Sequence, residues 1–172
     1  MADEIEHKYL VKGDFKSQAS SVKRIVQGYI STDIARTVRV RICDNEGFLT
    51  IKGPTSADGL QRYEFEKKIS PAEAEELIKL CLPGIIDKHR YLVPYGTHIC
   101  EIDEFHGDNE GLIIAEIEVA DKNEIIQLPP FIGQEVTGNI RYYNSMLQKR
   151  PYKDWDDEEK AFSNNKNVQR TD

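Results

Sequence analysis

Long hydrophobic runs are missing from this chain. Stretches such as Leu112-Ile113-Ile114-Ala115 are far shorter than the roughly 20 apolar residues a membrane-spanning helix needs. The N-terminus is acidic and lacks a basic region followed by an apolar one. It therefore reads as carrying no signal peptide, which predicts a cytoplasmic protein. Cysteine is scarce: Cys43, Cys81 and Cys100 are odd in number and form no CxxC pair, so reduced structural thiols are expected rather than a disulfide framework. His7, His89, His98 and His106 show no zinc spacing with each other or with the cysteines. Excess positive charge is also lacking. A net charge of −7 argues against a nucleic-acid partner held by a broad basic surface, but not against a small anion bound in a concave site.

What is present is enough for one domain with a sizeable core: 172 residues, 39% hydrophobic and 31% charged. Period-two alternation dominates. It predicts strands over residues 3–12, 26–30, 37–43, 48–52, 60–69, 86–93, 97–105 and 112–119. Turn signals separate them, such as Asn45-Glu46-Gly47 and Pro94-Tyr95-Gly96. Ser70-Pro71-Ala72-Glu73 reads as a capping box opening a helix that runs to about Cys81. Shorter helices are expected over 14–24 with Asp14 as N-cap, from Asp121 to Glu124, and over 140–149 with Ile140, Tyr143 and Leu147 on one stripe. After Pro151 the composition turns charged and polar. Residues 151–172 read as a tail that is partly disordered or covers a tunnel mouth, with Tyr152, Trp155 and Phe162 as anchors and the last ten or so residues frayed.

The unusual feature is what the alternation carries. In Glu4-Ile5-Glu6-His7-Lys8 the residues at i, i+2 and i+4 project to one face of a strand. The same spacing recurs in Arg39/Arg41, Arg62/Glu64/Glu66, Lys88/Arg90, Glu101/Asp103 and Glu116/Glu118, with Lys52 also in phase. His7 and His89 fall out of phase and face away. A solvated face would mix Ser, Thr, Gln and Lys, whereas these positions are nearly all charged and rich in Arg. Closing the sheet into a barrel puts one face inside. A charged inner face makes a polar tunnel whose acids call for divalent cations and whose bases call for a polyanion. Carboxylates alone suit Mg²⁺ or Mn²⁺ rather than zinc, and the arginine fork suits phosphate oxygens. The competing reading is an open sheet whose charged face meets water.

The ordered set of motifs resembles a known family. Glu4-Ile5-Glu6-His7-Lys8 is similar to the ExExK signature of the CYTH domain, the triphosphate tunnel metalloenzymes. Gln27-Gly28-Tyr29, Arg39-Val40-Arg41, Thr50-Ile51-Lys52-Gly53, Arg62-Tyr63-Glu64-Phe65-Glu66, Lys88-His89-Arg90-Tyr91, Ile102-Asp103-Glu104-Phe105, Ala115-Glu116-Ile117-Glu118 and a segment from Val136 to Asn144 follow in the matching order. The resemblance covers residues 3–150 and places residues 1–150 in one such domain. It implies an α+β, mainly antiparallel β fold: a closed eight-stranded tunnel barrel with a charged interior and a few short helices outside. Within the family the chain resembles the short bacterial branch of tripolyphosphatases. That implies metal-dependent hydrolysis of the terminal phosphoanhydride of tripolyphosphate or another triphosphate, with Mg²⁺ or Mn²⁺ as cofactor. One ion would orient the phosphates and a second would lower the pKa of a water for in-line attack.

Carried over by motif, Lys8, Arg39, Arg41, Lys52, Arg62, Lys88, Arg90 and Arg141 would hold phosphate. Glu4, Glu6, Glu116 and Glu118 would hold metal, helped by Glu64, Glu66 and Asp103. Tyr29 would accept a proton or position the water, and Lys88 would protonate or neutralise the leaving oxygen. Arg62 and Glu101 also read as tunnel-wall ion-pair partners, and Tyr29 as a packed strand aromatic. Adenylyl cyclisation and thiamine triphosphate hydrolysis are alternatives within the family, and a polyphosphate or nucleotide sensor is the non-enzymatic one. The expected partner is a small-molecule triphosphate, with neither nucleic acid nor membrane, and a homodimer left open.

Overall fold

The computed structural model describes residues 2–164. Nine strands form one antiparallel sheet: β1 (Ala2–Val11), β2 (Ser21–Ser31), β3 (Thr37–Cys43), β4 (Glu46–Thr55), β5 (Gln61–Ile69), β6 (Ile86–Tyr95), β7 (His98–Phe105), β8 (Ile113–Glu118) and β9 (Ile132–Glu135). The order β5-β4-β3-β2-β6-β7-β8-β1 closes through a β1–β5 pairing into an eight-stranded barrel. The N-terminal half of β1 pairs with β5, as in Glu4↔Arg62. Its C-terminal half pairs with β8, as in Glu6↔Glu118 and Lys8↔Glu116, and beyond β5 the short β9 takes up the same edge. Closure leaves few free strand edges, and the period-two register aims the charged residues at one enclosed space.

The helices are α1 (Pro71–Lys79), α2 (Asn144–Lys149) and α3 (Asp157–Asn164). The expected capping box opens α1: Ser70 Oγ accepts from Glu73 N at 3.1 Å and Glu73 Oε1 accepts from Ser70 N at 3.0 Å. The segment after α1 lies so close on β2 that a Cβ at Gly28 would stand 2.7 Å from Ile85 Cδ1 and 2.8 Å from Cys81 Cβ. Apolar packing gathers in two other places, one on each face of the sheet. On the inner face, in phase with Lys8, Gln27, Asp103 and Glu116, Leu10, Tyr29, Phe105 and Ile114 pack with Tyr142, Leu147, Tyr152 and Trp155. On the outer face Tyr9, Val93, Ile102 and Ile117 pack with Phe15, Phe131 and Ile132. No described helix is long and apolar enough to cross a membrane.

Three sequence expectations are corrected and one strand is added. Residues 14–24 form no α-helix. Asp14 accepts from Lys16 N and Ser17 Oγ, closing a turn into a single 3-10 turn (Lys16–Gln18), and β6 recruits the chain from Ser21 onward. Asp121–Glu124 closes only a turn: Asp121 Oδ1 accepts from Asn123 N at 2.8 Å, and Glu124 is drawn to Ala120 N and His98. The 140–149 helix is broken at Tyr143, whose backbone is extended between a 3-10 turn (Ile140–Tyr142) and α2. β9 was not expected; its four residues are too few to display a period. Beyond 150, Tyr152 and Trp155 are buried and α3 reaches Asn164. The side chain of Phe162 and residues 165–172, where fraying was expected, lie outside the described residues.

Candidate active site in the barrel

The barrel encloses a cavity of about 780 Å³. Its wall holds Glu4, Glu6, Lys8 and Tyr29, then Arg39, Arg41, Lys52 and Arg62, then Glu64, Glu66, Lys88 and Arg90, and finally Glu101, Glu116 and Glu118. Strand register explains the convergence. In-phase residues on neighbouring strands stand opposite one another, as in Tyr29↔Arg39, Gln27↔Arg41, Lys52↔Glu64 and Glu101↔Glu116.

Two expected site residues do not line the cavity. Asp103 is buried behind the wall with both oxygens occupied. Arg90 Nε donates to Oδ1 at 2.7 Å, while Arg90 Nη2 and Lys88 Nζ donate to Oδ2 at 2.9 and 2.8 Å. Arg141 pairs with Glu159 at 3.1 Å and lies 5.5 Å from the Trp155 ring. Arg62 is on the wall, but its donors go to Gly53 O, Ile34 O and Thr37 Oγ1 at 3.2–3.3 Å. It clips the mouth-forming segments together.

Acids and bases are partly segregated. On the acidic side, Lys52 Nζ donates to Glu4 Oε2 at 2.7 Å. Burial works against ionised Glu4, but Lys52 overrides it and holds this carboxyl far below the usual range. Glu6 and Glu64, hydrogen-bonded to Glu4, go the other way. Burial, then the charges of Glu116 and Glu4, raise Glu6 well above normal. Burial and the Glu4 contact lift Glu64 to about 7. Glu118 is raised by burial and by Glu4 and Glu101. One ionised carboxylate thus stands among acids held toward their protonated forms, the state of a site short of positive charge.

The basic side is short of negative charge. Lys8 and Glu116 are 3.7 Å apart, and Arg90 reaches Glu101 at 2.9 Å. Burial and the like charges of Arg39 and Arg90 nevertheless bring Arg41 down to about 9. Burial, with Arg90 and Arg41 adding to it, lowers Lys88 to about 7 against the pull of Asp103. Arg39 Nη2 donates to Thr50 Oγ1 at 3.2 Å, which in turn donates to Glu66 at 3.0 Å, yet Arg39 Nε is buried without a partner.

Neutral residues complete the wall and were missed. Thr37, Thr50, Tyr143, Asn144 and Ser145 all line the cavity, and Gln27 lies directly behind it. Gln27 and Thr50 are in phase with Tyr29 and Lys52, so parity alone could have found them had it not been read through charge. Tyr143 and Asn144 reach the cavity because the helix breaks there: the Tyr143 ring lies under Lys8 Nζ at 4.7 Å. At the mouth, Gly59 (φ +76°) and Gly138 (φ +77°) touch backbone to backbone, and a Cβ at Gly59 would be 2.4 Å from Gly138 Cα.

Comparison with known proteins places this geometry. The CYTH domain profile matches residues 2–152. A protein of Acetivibrio thermocellus named inorganic triphosphatase is 46% identical over 157 residues, covering 90% of this chain and 99% of that one. A Nitrosomonas europaea protein of the same name is 33% identical over 149 residues, covering 84% and 95%. The crystal structure of the inorganic triphosphatase NE1496 superposes with a TM-score of 0.62 at 28% identity, covering 86% of this chain and 95% of that one.

Proposed function

This chain belongs to the CYTH domain family, and on that premise we propose that it is an inorganic triphosphatase, hydrolysing the terminal phosphoanhydride of tripolyphosphate inside its barrel. The names of its relatives support the reading. The observation that carries it lies in the buried cationic wall: the unpartnered Arg39 Nε beside an Arg41 whose charge is disfavoured by burial and by its neighbours. A phosphate chain brings several charged acceptors to both guanidinium forks at once.

Lys8, Arg39, Arg41, Lys52, Lys88 and Arg90 are assigned to substrate. Arg62 is assigned to shaping the mouth, and Arg141 would join them only on leaving Glu159. Glu4, Glu6, Glu64, Glu116 and Glu118, with Glu66 beside them, are assigned to divalent cations. Their donor chemistry fits Mg²⁺ or Mn²⁺, two ions with substrate bound. Among the described residues no His, Cys, Asp or Glu group forms a ready-made cage. That suits an ion that keeps its waters and takes phosphate oxygens as ligands. When bound, such ions would supply charge neutralisation and acidify the attacking water. Asp103, with both oxygens committed to Lys88 and Arg90, is assigned to holding those two cations in place.

The chain's own contribution is orientation and one proton. Arg39 and Arg41 come from β3 and Arg90 from β6, two strands of a closed sheet, so a phosphate chain held by them is fixed in direction. Lys88 Nζ, near 7 and held by Asp103 and Asn144 at 2.8 Å each, can carry a proton to the leaving oxygen at neutral pH. The three free cysteines suit a reducing compartment such as the cytoplasm. The test is phosphate release from tripolyphosphate, ATP and thiamine triphosphate with Mg²⁺ and Mn²⁺ in turn. Tripolyphosphate should be cleaved fastest, and Glu6→Gln should abolish cleavage while binding partly persists. A cyclic product from ATP, or unchanged hydrolysis in Glu6→Gln, would overturn the assignment.

A further inference from the structure

Behind the cationic wall lies a hydrogen-bonded network whose polarity is fixed by two lysine and arginine donors. Arg41 Nε donates to Gln27 Oε1 at 2.9 Å. A guanidinium can only donate, so the carbonyl end of the fully buried Gln27 must face Arg41. Its amide nitrogen therefore faces the other way, with one hydrogen to Tyr29 Oη at 3.2 Å and one to Asn144 Oδ1 at 3.1 Å. The second anchor agrees. Lys88 Nζ donates to the same Asn144 oxygen at 2.8 Å, so that oxygen cannot be an amide nitrogen. Both ends of the network exclude a flipped Gln27.

The consequence falls on Tyr29. Its hydroxyl oxygen already accepts from Gln27, so its own proton points elsewhere. Tyr29 is buried in the wall, opposite Arg39 on the neighbouring strand, with its side chain on the cavity. Among the described residues no acceptor takes that proton. We propose that Gln27 is a positioning residue that fixes Tyr29 as a hydrogen-bond donor to a phosphoryl oxygen of the triphosphate, rather than as the acceptor of a proton from the attacking water. This rests on the proposed triphosphatase reading and assigns Tyr29 its direction within it. Asn144 is the joint of the arrangement. It stands where the helix breaks after Tyr143, so the same break that ends the 3-10 turn supplies the acceptor shared by Gln27 and Lys88.

The test is a double-mutant cycle on Gln27→Glu and Tyr29→Phe, read by steady-state hydrolysis and by NMR of tyrosine labelled with carbon-13 at Cζ. Gln27→Glu keeps the side-chain volume but offers Tyr29 only acceptors, so the phenol proton turns away from the cavity. Each single substitution should lower kcat/KM by about 10–100-fold, the range for one hydrogen bond to a charged group. Gln27→Glu should cost at least about tenfold less in the Tyr29→Phe background, since the group it acts through is gone. Independent of activity, the Tyr29 ionisation midpoint should move to higher pH in Gln27→Glu, because a donor to the phenolate is replaced by a carboxylate. Gln27→Met, which removes the donor without adding charge, should move it the same way and covers the case in which Gln27→Glu does not fold. An unmoved or lowered midpoint overturns the proposal, as does the same fold loss in both backgrounds. If the wild-type protein releases no phosphate from tripolyphosphate, the triphosphatase reading falls, and the NMR midpoint still decides how Gln27 holds Tyr29.

Discussion

Replacing Lys52 with methionine probes the acidic half of the tunnel directly. Lys52 Nζ sits 2.7 Å from Glu4 Oε2, and the two side chains are only 15% and 11% exposed. Methionine keeps the length of the stem and removes the charge. Glu4 then stands ionised among Glu6, Glu64 and Glu118 with no cation against it, or takes up a proton at a cost in free energy. Removing one partner of a buried pair costs about 3–5 kcal/mol. This pair borders a hollow interior, so the lower end applies, about 3 kcal/mol. For a domain of this size each kcal/mol lowers Tm by about 2–4 °C, so Lys52→Met should melt about 6–12 °C below wild type without divalent cations. A divalent cation supplies the missing charge, so the deficit should shrink by half or more when Mg²⁺ is added. Differential scanning calorimetry at neutral pH, with and without MgCl₂, measures both. A deficit of the same size in the two buffers would refute the claim that Lys52 occupies, in charge terms, the place of a cation.

Two more perturbations separate the tunnel from its shell. Glu64, near 7, and Glu6 and Glu118, also raised, have folded pKa values above their unfolded ones, so their stabilising contribution is complete below about pH 4.5 and is lost as pH rises through about 7. Lys88 acts in the opposite sense only above about 7. Without divalent cations Tm should therefore fall between about pH 5 and about pH 7, and with Mg²⁺ the slope should flatten; a rising Tm over that window refutes the charge assignment. Trp155→Ala removes a buried ring in edge contact with Tyr142 and Tyr152 at 5.4 and 5.1 Å, along with its Nε1 hydrogen bond to Arg150 O. It should cost about 3–5 kcal/mol in urea unfolding, and a loss below about 1 kcal/mol would show that the segment after residue 150 is dispensable to the fold.

The strands and the inner face were legible because their signal is local. Charge at i and i+2 in six stretches can be read without knowing any partner, and closure turns that parity into a wall. The structure places all but Asp103 and Arg141 of the expected site residues on it. What was not legible depends on contacts made elsewhere. Asp103 has the same parity as Glu101, but only the β6–β7 register brings Arg90 and Lys88 onto both of its oxygens. Arg141 is turned aside by Glu159, eighteen positions away on a helix the composition did not announce. Residues 14–24 carry a plausible cap and too weak a period to resist recruitment into β2. The roles of Gln27 and Asn144 are not legible either, because an amide has no charge to mark it and its direction is set by neighbours from other elements.

The segregation of charge also explains why the apolar packing is gathered in two clusters apart from the charged wall. A tunnel in which burial and like charges push Glu6, Glu64 and Glu118 toward protonation and Arg41 and Lys88 toward neutrality stores unfavourable electrostatic free energy when empty. The fold must offset that from elsewhere, since a domain's net stability is only about 5–15 kcal/mol. Two apolar clusters do so, one on the outer face and one on the inner face built around Tyr142, Tyr152 and Trp155. That cluster also fixes the break at Tyr143, and with it the position of Asn144 against Lys88 and Gln27. Substrate and cations would then relieve the strain inside while the apolar clusters hold the geometry. Ligand binding should therefore raise Tm more than its affinity for a relaxed, uncharged cavity of the same shape would, and the gain should need both ions. Tripolyphosphate and Mg²⁺ added together should stabilise by more than the sum of each added alone, because each neutralises the half of the tunnel that repels itself. Simple additivity in calorimetry, with a non-hydrolysed phosphonate analogue in place of substrate, would mean that the two halves are electrostatically independent.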